Sequence, residues 1–162
     1  MNFFNFNIKI FLMHRVFLSI GSNLGEKEKN CLQAIEMLEK AGLIIDKKSS
    51  IYITKPWGFK NQPDFANMAV EAFTELKPLE LLKLIKKIER KMGRKPSIKY
   101  GPRIIDIDII FYDDLILKSE KLIIPHPFMH ERYFVLKPLS EIAPYFIHPE
   151  LKLSVKKLLE KL

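Results

Sequence analysis

The chain has a single cysteine, Cys31, so no disulfide can form within it. That cysteine precedes Leu32, Ile35 and Leu38 at helical spacing, the setting of a buried apolar side chain and not of a nucleophile. No stretch approaches the roughly 18 apolar residues of a membrane span. The opening MNFFNFNIKIFLM is apolar and rich in Asn and Phe, yet it lacks the basic start and small-residue cleavage site of a secretory signal. Met13 is an alternative start, and residues 1–13 read as an extension to one domain over residues 14–162. There is no internal repeat, low-complexity tract or interdomain linker. Nor is there a K/R-G-F/Y-G/A-F-V-x-F/Y segment, which excludes the usual aromatic platform of RNA-binding modules.

What remains is a 162-residue chain that is 48% hydrophobic and 28% charged, the proportions of one soluble globular domain. Its formal net charge is +8. Such a surface attracts nucleic acid, acidic membranes and small polyanions alike, so charge does not choose among them. Part of the excess (Lys83, Lys86, Lys87, Lys156 and Lys157) also fits solvated helix faces.

The hydrophobic pattern predicts a strand over 14–20, a turn at 21–25, a helix over 26–41, a strand over 43–54 and another over 65–73. Pro78 opens a second helix with Leu79, Leu82, Ile85, Ile88 and Met92 as its apolar stripe and Gly93 at its end. A strand over 104–112, a small hairpin around Asp113 and Asp114, and a helix over 154–162 follow. The order β-α-β-β-α-β predicts an α+β, ferredoxin-like core, an antiparallel sheet with both helices on one face, plus a C-terminal extension. Residues 55–64 and 94–101 are Pro/Gly-marked or basic loops of the kind that close over a substrate.

Residues 99–114, KYGPRIIDIDIIFYDD, are the most informative. Period-two alternation sends Ile105, Ile107, Ile109 and Phe111 to one side of a strand, and Asp106 and Asp108 to the other. Carboxylates at that spacing can hold one hard cation, or two about 4 Å apart. A solvent-facing edge strand is the other reading. Pro102 and Arg103 just upstream favour the first, because a guanidinium beside two carboxylates suits a polyphosphate bridged by magnesium. His126 and His130 lie four apart, but Pro127 intervenes and no acidic or cysteine partner is near, which argues against zinc.

Four segments together, VFLSIGSNLG (16–25), NQPDFANMAV (61–70), GPRIIDID (101–108) and IPHP (124–127), resemble hydroxymethyl-dihydropterin pyrophosphokinases of folate biosynthesis. The resemblance runs from about residue 15 to 149. It implies transfer of diphosphate from ATP to the hydroxymethyl group of a reduced pterin, with release of AMP, by a cytoplasmic enzyme of small molecules. Neither nucleic acid nor membrane is then a partner, and the state is a monomer, with a homodimer as the alternative. Asp106 and Asp108 would hold two magnesium ions bridging the triphosphate, Arg103 would contact the phosphates, and Arg94 would be the mobile arginine assisting transfer. Lys86, Glu89, Lys99, Ile109, Lys121, His126 and Arg132 would bind the nucleotide. Thr54, Pro56, Trp57, Phe65, Asn67, Tyr100 and Phe134 would bind the pterin, with Phe65 and Phe134 stacking on its rings and Asn67 reading its edge. By composition alone Phe65 and Phe134 read as core aromatics, Glu89 as an exposed helix residue and Lys121 as solvated. The chain departs from the family at Phe65, where many members have Tyr, at Tyr100 in place of a common Trp, and at Lys86 in place of Gln. The 94–100 loop is one residue shorter, with Pro96 where a second arginine is frequent. An RNA-binding module and a regulatory nucleotide-binding domain without turnover are the rival classes.

Overall fold

Strand β1 (His14–Ser22) alternates Val16, Leu18 and Ile20 with Phe17, and all four are fully buried. In the structure, a computed structural model that describes residues 2–162, this strand lies inside the sheet with antiparallel neighbours on both sides. Strand β4 (Phe65–Thr74) pairs with one edge and β5 (Asp106–Tyr112) with the other, and β2 (Ile44–Lys48) pairs with the far side of β4. The order β2-β4-β1-β5 with two crossing helices is the ferredoxin-like arrangement.

Helices α2 (Lys27–Lys40) and α3 (Pro78–Lys91) cover one face, packing Cys31, Ala34, Ile35, Leu38, Leu81, Ile85 and Ile88 against Val16, Leu18, Ile20, and Ile107 and Ile109 of β5. Leu32, counted with Cys31 in the expected stripe, is 48% exposed. Pro78 occupies the first turn of α3, Glu80 accepts from the Lys77 N–H at 3.1 Å, and Gly93 takes φ +93 just past the end, a conformation that suits glycine. The buried stripe of α3 is Leu81, Ile85, Ile88 and Met92, and Leu79 is 44% exposed. Leucines at 79, 81, 82 and 84 nearly encircle the first turns, so spacing alone left the phase degenerate and contact with the sheet selected it.

Three other expectations change. The single strand over 43–54 is two strands, β2 and β3 (Tyr52–Thr54), both on β4. Ser49 takes the place of a ladder residue by accepting the Ala69 N–H through its hydroxyl at 2.9 Å, and Ser50 donates its N–H and hydroxyl to Glu141. Phe111 lies on the opposite face from Ile105, Ile107 and Ile109. The β1–β5 register passes from Leu18↔Ile109 to Phe17↔Phe111, leaving Ile110 as a bulge that inverts the alternation. After the turn at Asp113, the hairpin is β6 (Leu117–Lys118) with β7 (Ile123–Ile124).

The C-terminal segment builds a second core. Helices α4 (Tyr133–Ile142) and α5 (Val155–Glu160) set Val135, Leu136, Leu139, Val155 and Leu158 against Phe17, Ala69, Ile110 and Phe111 on the other face. Pro138 lies inside α4, a helix that the sequence pattern did not predict. At the N-terminus α1 (Phe3–Phe11) buries no residue, and Met1 lies outside the described residues. Among the described residues no helix is long and apolar enough to cross a membrane.

Since Leu136 is fully buried in this second core, Leu136→Ala is expected to cost about 2–5 kcal/mol in urea unfolding. A loss below about 0.5 kcal/mol would mean that α4 is a loosely attached extension.

Candidate active site

On the α4–α5 face the apolar cover stops part-way along β4, β1 and β5. Along β1 the outward series runs Phe17, Ser19, Gly21; on β5 the register partners are Phe111, Asp108 and Asp106; on β4 they are Glu71, Ala69 and Asn67. Asn67, Gly21 and Asp106 therefore form one row across the sheet. The outer two are separated by two strand spacings, about 10 Å, and only a glycine lies between. A Cβ on Gly21 would come 2.7 Å from Oδ1 of Asn67, so the absent side chain both fixes the amide and leaves a floor open.

Over this floor is a cavity of about 210 Å³ lined by Thr54, Trp57, Phe65, Asn67, Tyr100, Arg103, Asp106, Asp108, His126, Arg132 and Phe134. Pro56 lies in the adjoining groove with Trp57 and Phe134. Lys86, Glu89, Arg94 and Arg103 line a neighbouring basic hollow. Lys99 is exposed, its ammonium 5.1 Å from the Tyr100 ring. Two residues stand apart: Lys121 is exposed in the β6–β7 turn, and the Ile109 side chain is buried in the core beneath the helices.

At the amide end Asn67 is 3% exposed and donates through Nδ2 to the Thr54 hydroxyl at 2.6 Å. At the charged end Glu89 is 2% exposed, so it is no surface residue of α3. It accepts from Arg94, from Lys86 at 3.1 Å and from the Ile107 N–H at 3.0 Å. Arg94 also donates to Asp106 at 2.9 Å, and Arg103 reaches the other oxygen of Asp106 at 3.1 Å. Burial, and then the Asp106 charge, push the Asp108 carboxyl up to about 7, with Arg132 opposing. Burial and then Arg132 push His126 down to about 4, so its imidazole is neutral near pH 7. Arg132 itself is 7% exposed, its Nε has no partner among the described residues, and its guanidinium lies 4.4 Å from the Trp57 ring, with Phe128, Phe134 and Tyr100 within 5.9 Å. A buried cation ringed by aromatic faces, with the Asp108 charge near it, is poised for an anion.

Asn23 and Gln62, given no role from the sequence, join the loops. Asn23 donates to Gln62 and to the Pro63 carbonyl, both at 2.9 Å, and accepts the Arg103 N–H at 2.8 Å. Gln62 donates to the Tyr100 carbonyl at 2.6 Å, and Trp57 meets Tyr100 edge-on with centroids 5.0 Å apart. The 55–64 and 94–101 segments are thus linked to one another. The signal was the pair of short polar residues inside otherwise apolar or Pro/Gly-rich motifs.

The Asp108 carboxyl carries a testable cost. Its folded pKa of about 7 exceeds the unfolded value of about 3.9, so between those limits the fold holds a proton that the unfolded chain has lost, and stability falls as pH rises. Asp108→Asn, which mimics the neutral form, is expected to raise the melting temperature of the metal-free protein. The gain should grow from about pH 4 to about pH 7 and then level off. A gain independent of pH would dismiss the buried-charge account.

The family model for 7,8-dihydro-6-hydroxymethylpterin-pyrophosphokinase (HPPK) matches residues 17–144. The chain is 48% identical over 137 residues to a 2-amino-4-hydroxy-6-hydroxymethyldihydropteridine pyrophosphokinase of Aquifex aeolicus, covering 85% of each. It is 49% identical over 143 residues to the folic acid synthesis protein FOL1 of Dictyostelium discoideum, covering 88% of this chain but 22% of that one. It thus spans about a fifth of that longer relative. A crystal structure of a Plasmodium falciparum HPPK-DHPS triple mutant superposes with a TM-score of 0.73 at 19% identity, over 92% of this chain and 43% of that one, a likeness of fold. The match across most of the length, with a relative of similar size nearly half identical, means that the chain belongs to the 7,8-dihydro-6-hydroxymethylpterin-pyrophosphokinase family.

Proposed function

We propose that the protein transfers diphosphate from ATP to the hydroxymethyl group of 6-hydroxymethyl-7,8-dihydropterin, with AMP as leaving group, in tetrahydrofolate biosynthesis. The observation that carries this reading is the single cavity with an aromatic, amide-lined end and a carboxylate- and arginine-lined end on either side of Gly21. A flat heterocycle with a mixed donor and acceptor edge suits the first end, and a polyphosphate suits the second.

Phe65 and Phe134 supply faces for stacking, and Asn67, with one donor already spent on Thr54, retains its Oδ1 acceptor for the pterin edge. Thr54, Trp57 and Tyr100 complete the wall, with Pro56 beside them in the adjoining groove. On the nucleotide side we assign Lys86, Lys99, Lys121, His126 and Arg132 to charge and polar contacts. Glu89 is assigned to orienting Lys86 and Arg94, because its carboxylate is fully engaged. Ile109 has its side chain in the core, which leaves its backbone to face a ligand.

Magnesium fits the donor set. Asp106 and Asp108 offer hard oxygen ligands from one strand face, and Asp108 has no hydrogen-bond partner among the described residues. No cluster of three or more His, Cys, Asp or Glu side chains able to hold a metal occurs among the described residues. Cations held here would therefore take phosphate and water oxygens for the remaining positions, as magnesium does on nucleotides. We assign two ions to the pair. Bound there, they would neutralise charge on the bridging phosphates.

The chain's own residues hold the pterin so that its hydroxymethyl oxygen faces the β-phosphorus in line with the departing AMP. Arg94 and Arg103 offset the charge that spreads over the transferring oxygens. No covalent enzyme intermediate is required, because phosphoryl chemistry asks a protein for positioning and charge stabilisation. The activity is assigned to residues 14–162, with residues 1–13 an extension, and to a monomer acting on small molecules in the cytoplasm.

Incubation with MgATP and the reduced pterin is expected to yield AMP and the pterin diphosphate, with Asp108→Ala lowering turnover at least about a hundredfold, or about 2.7 kcal/mol. ADP as the nucleotide product would overturn the reading. Phe134→Ala is expected to weaken pterin binding by about 1–3 kcal/mol and binding of an ATP analogue far less. Equal losses for both ligands, measured by calorimetry, would place Phe134 in a purely structural role.

A further inference from the structure

One guanidinium nitrogen in this site serves two carboxylates. Nη1 of Arg94 donates to Oε2 of Glu89 and to Oδ1 of Asp106, the latter at 2.9 Å, while Nη1 of Arg103 lies 3.1 Å from Oδ2 of Asp106. Both oxygens of Asp106 are thus covered by arginine. Glu89 fixes the arrangement from beneath, because the Ile107 N–H that it accepts lies on β5 between Asp106 and Asp108.

The two arginines are not held alike. The Arg103 main chain is pinned on both sides by Asn23, which accepts its N–H at 2.8 Å and donates to its carbonyl at 3.0 Å. Arg94 begins an irregular stretch in which residues 95–99 are all exposed. If Arg94 leaves, Glu89 keeps Lys86 and the Ile107 N–H. Its buried carboxylate is then still paired, so departure strands no charge.

Resting on the proposed role of Asp106 as a metal ligand, we infer that Arg94 is a built-in competitor of the divalent cation. Glu89 parks it on Asp106 in the ligand-free protein, and the cation displaces it. A carboxylate oxygen cannot serve a guanidinium and a metal ion at full strength together, so the two occupancies exclude one another. Arrival of the cation with its nucleotide releases Arg94 at the moment when phosphate oxygens become available to it. Cation binding and the freeing of the transfer arginine are then one event, with Glu89 as the positioning residue.

The test uses Mn²⁺ alone as probe on the full chain without nucleotide, with free Mn²⁺ followed by electron paramagnetic resonance. Arg94→Ala is expected to bind Mn²⁺ about tenfold more tightly than the unsubstituted protein. Lys95→Ala, which removes an equal charge one residue away, should change affinity less than about twofold. Equal affinities for the Arg94 variant and the parent, or equal gains for both variants, would overturn the inference. A second measurement needs no variant: labelling of Arg94 by phenylglyoxal, quantified by peptide mass spectrometry against the exposed Arg90, should accelerate when Mn²⁺ is added. Unchanged protection at saturating Mn²⁺ would also overturn it. Failure of Mn²⁺ to bind even with an ATP analogue present would instead remove the metal reading on which the inference rests.

Discussion

The row Asn67–Gly21–Asp106 is the constraint on which the site depends. Antiparallel pairing on both sides of β1 sets these three residues abreast. A slip of one residue in either pairing would send the amide or the carboxylate into the helical core. Register is secured below the row by Phe17 and Phe111, whose burial under α4 and α5 makes any slip expensive. The bulge at Ile110 reconciles the two demands. It lets β5 present aspartates on the open face at one end and Phe111 on the same face at the other.

Charge at this site is balanced at close quarters. Lys86, Arg94 and Arg103 are ion-paired with Glu89 and Asp106, while among the described residues the buried Nε of Arg132 has no hydrogen-bond partner, and burial and the Asp106 charge hold the Asp108 carboxyl up. A desolvated carboxyl beside a second carboxylate and a buried guanidinium nitrogen without a partner each cost stability. A ligand that brings both cations and phosphates would satisfy the two at once. The arrangement favours binding over the stability of the empty protein.

The loops, which look like independent flexible elements in the sequence, are tied by Asn23 and Gln62. Ordering of one is therefore ordering of the other. Trp57 and Tyr100, one from each, enclose Arg132, so the aromatic end and the phosphate end of the cavity share a wall.

How much of this was legible depended on the range of the interaction responsible. The strands β1, β4 and β5, the helices α2 and α3 and the paired aspartates were readable, because alternation, helical spacing and the Gly-Pro-Arg turn are encoded within a few residues. So were the motifs that resemble the pyrophosphokinase family. The phase of α3, the break at Ser49 and Ser50, the Ile110 bulge and the helix through Pro138 were not, since each is settled by partners far along the chain. The sequence by itself determined that two carboxylates share a strand face beside an arginine. Only the tertiary structure decided that Glu89 is buried beneath them, that Arg94 sits on Asp106 and that Arg132 lies in an aromatic box. Those placements follow from long-range packing of two helical layers onto one sheet, a property of the assembled surface and not of any local segment.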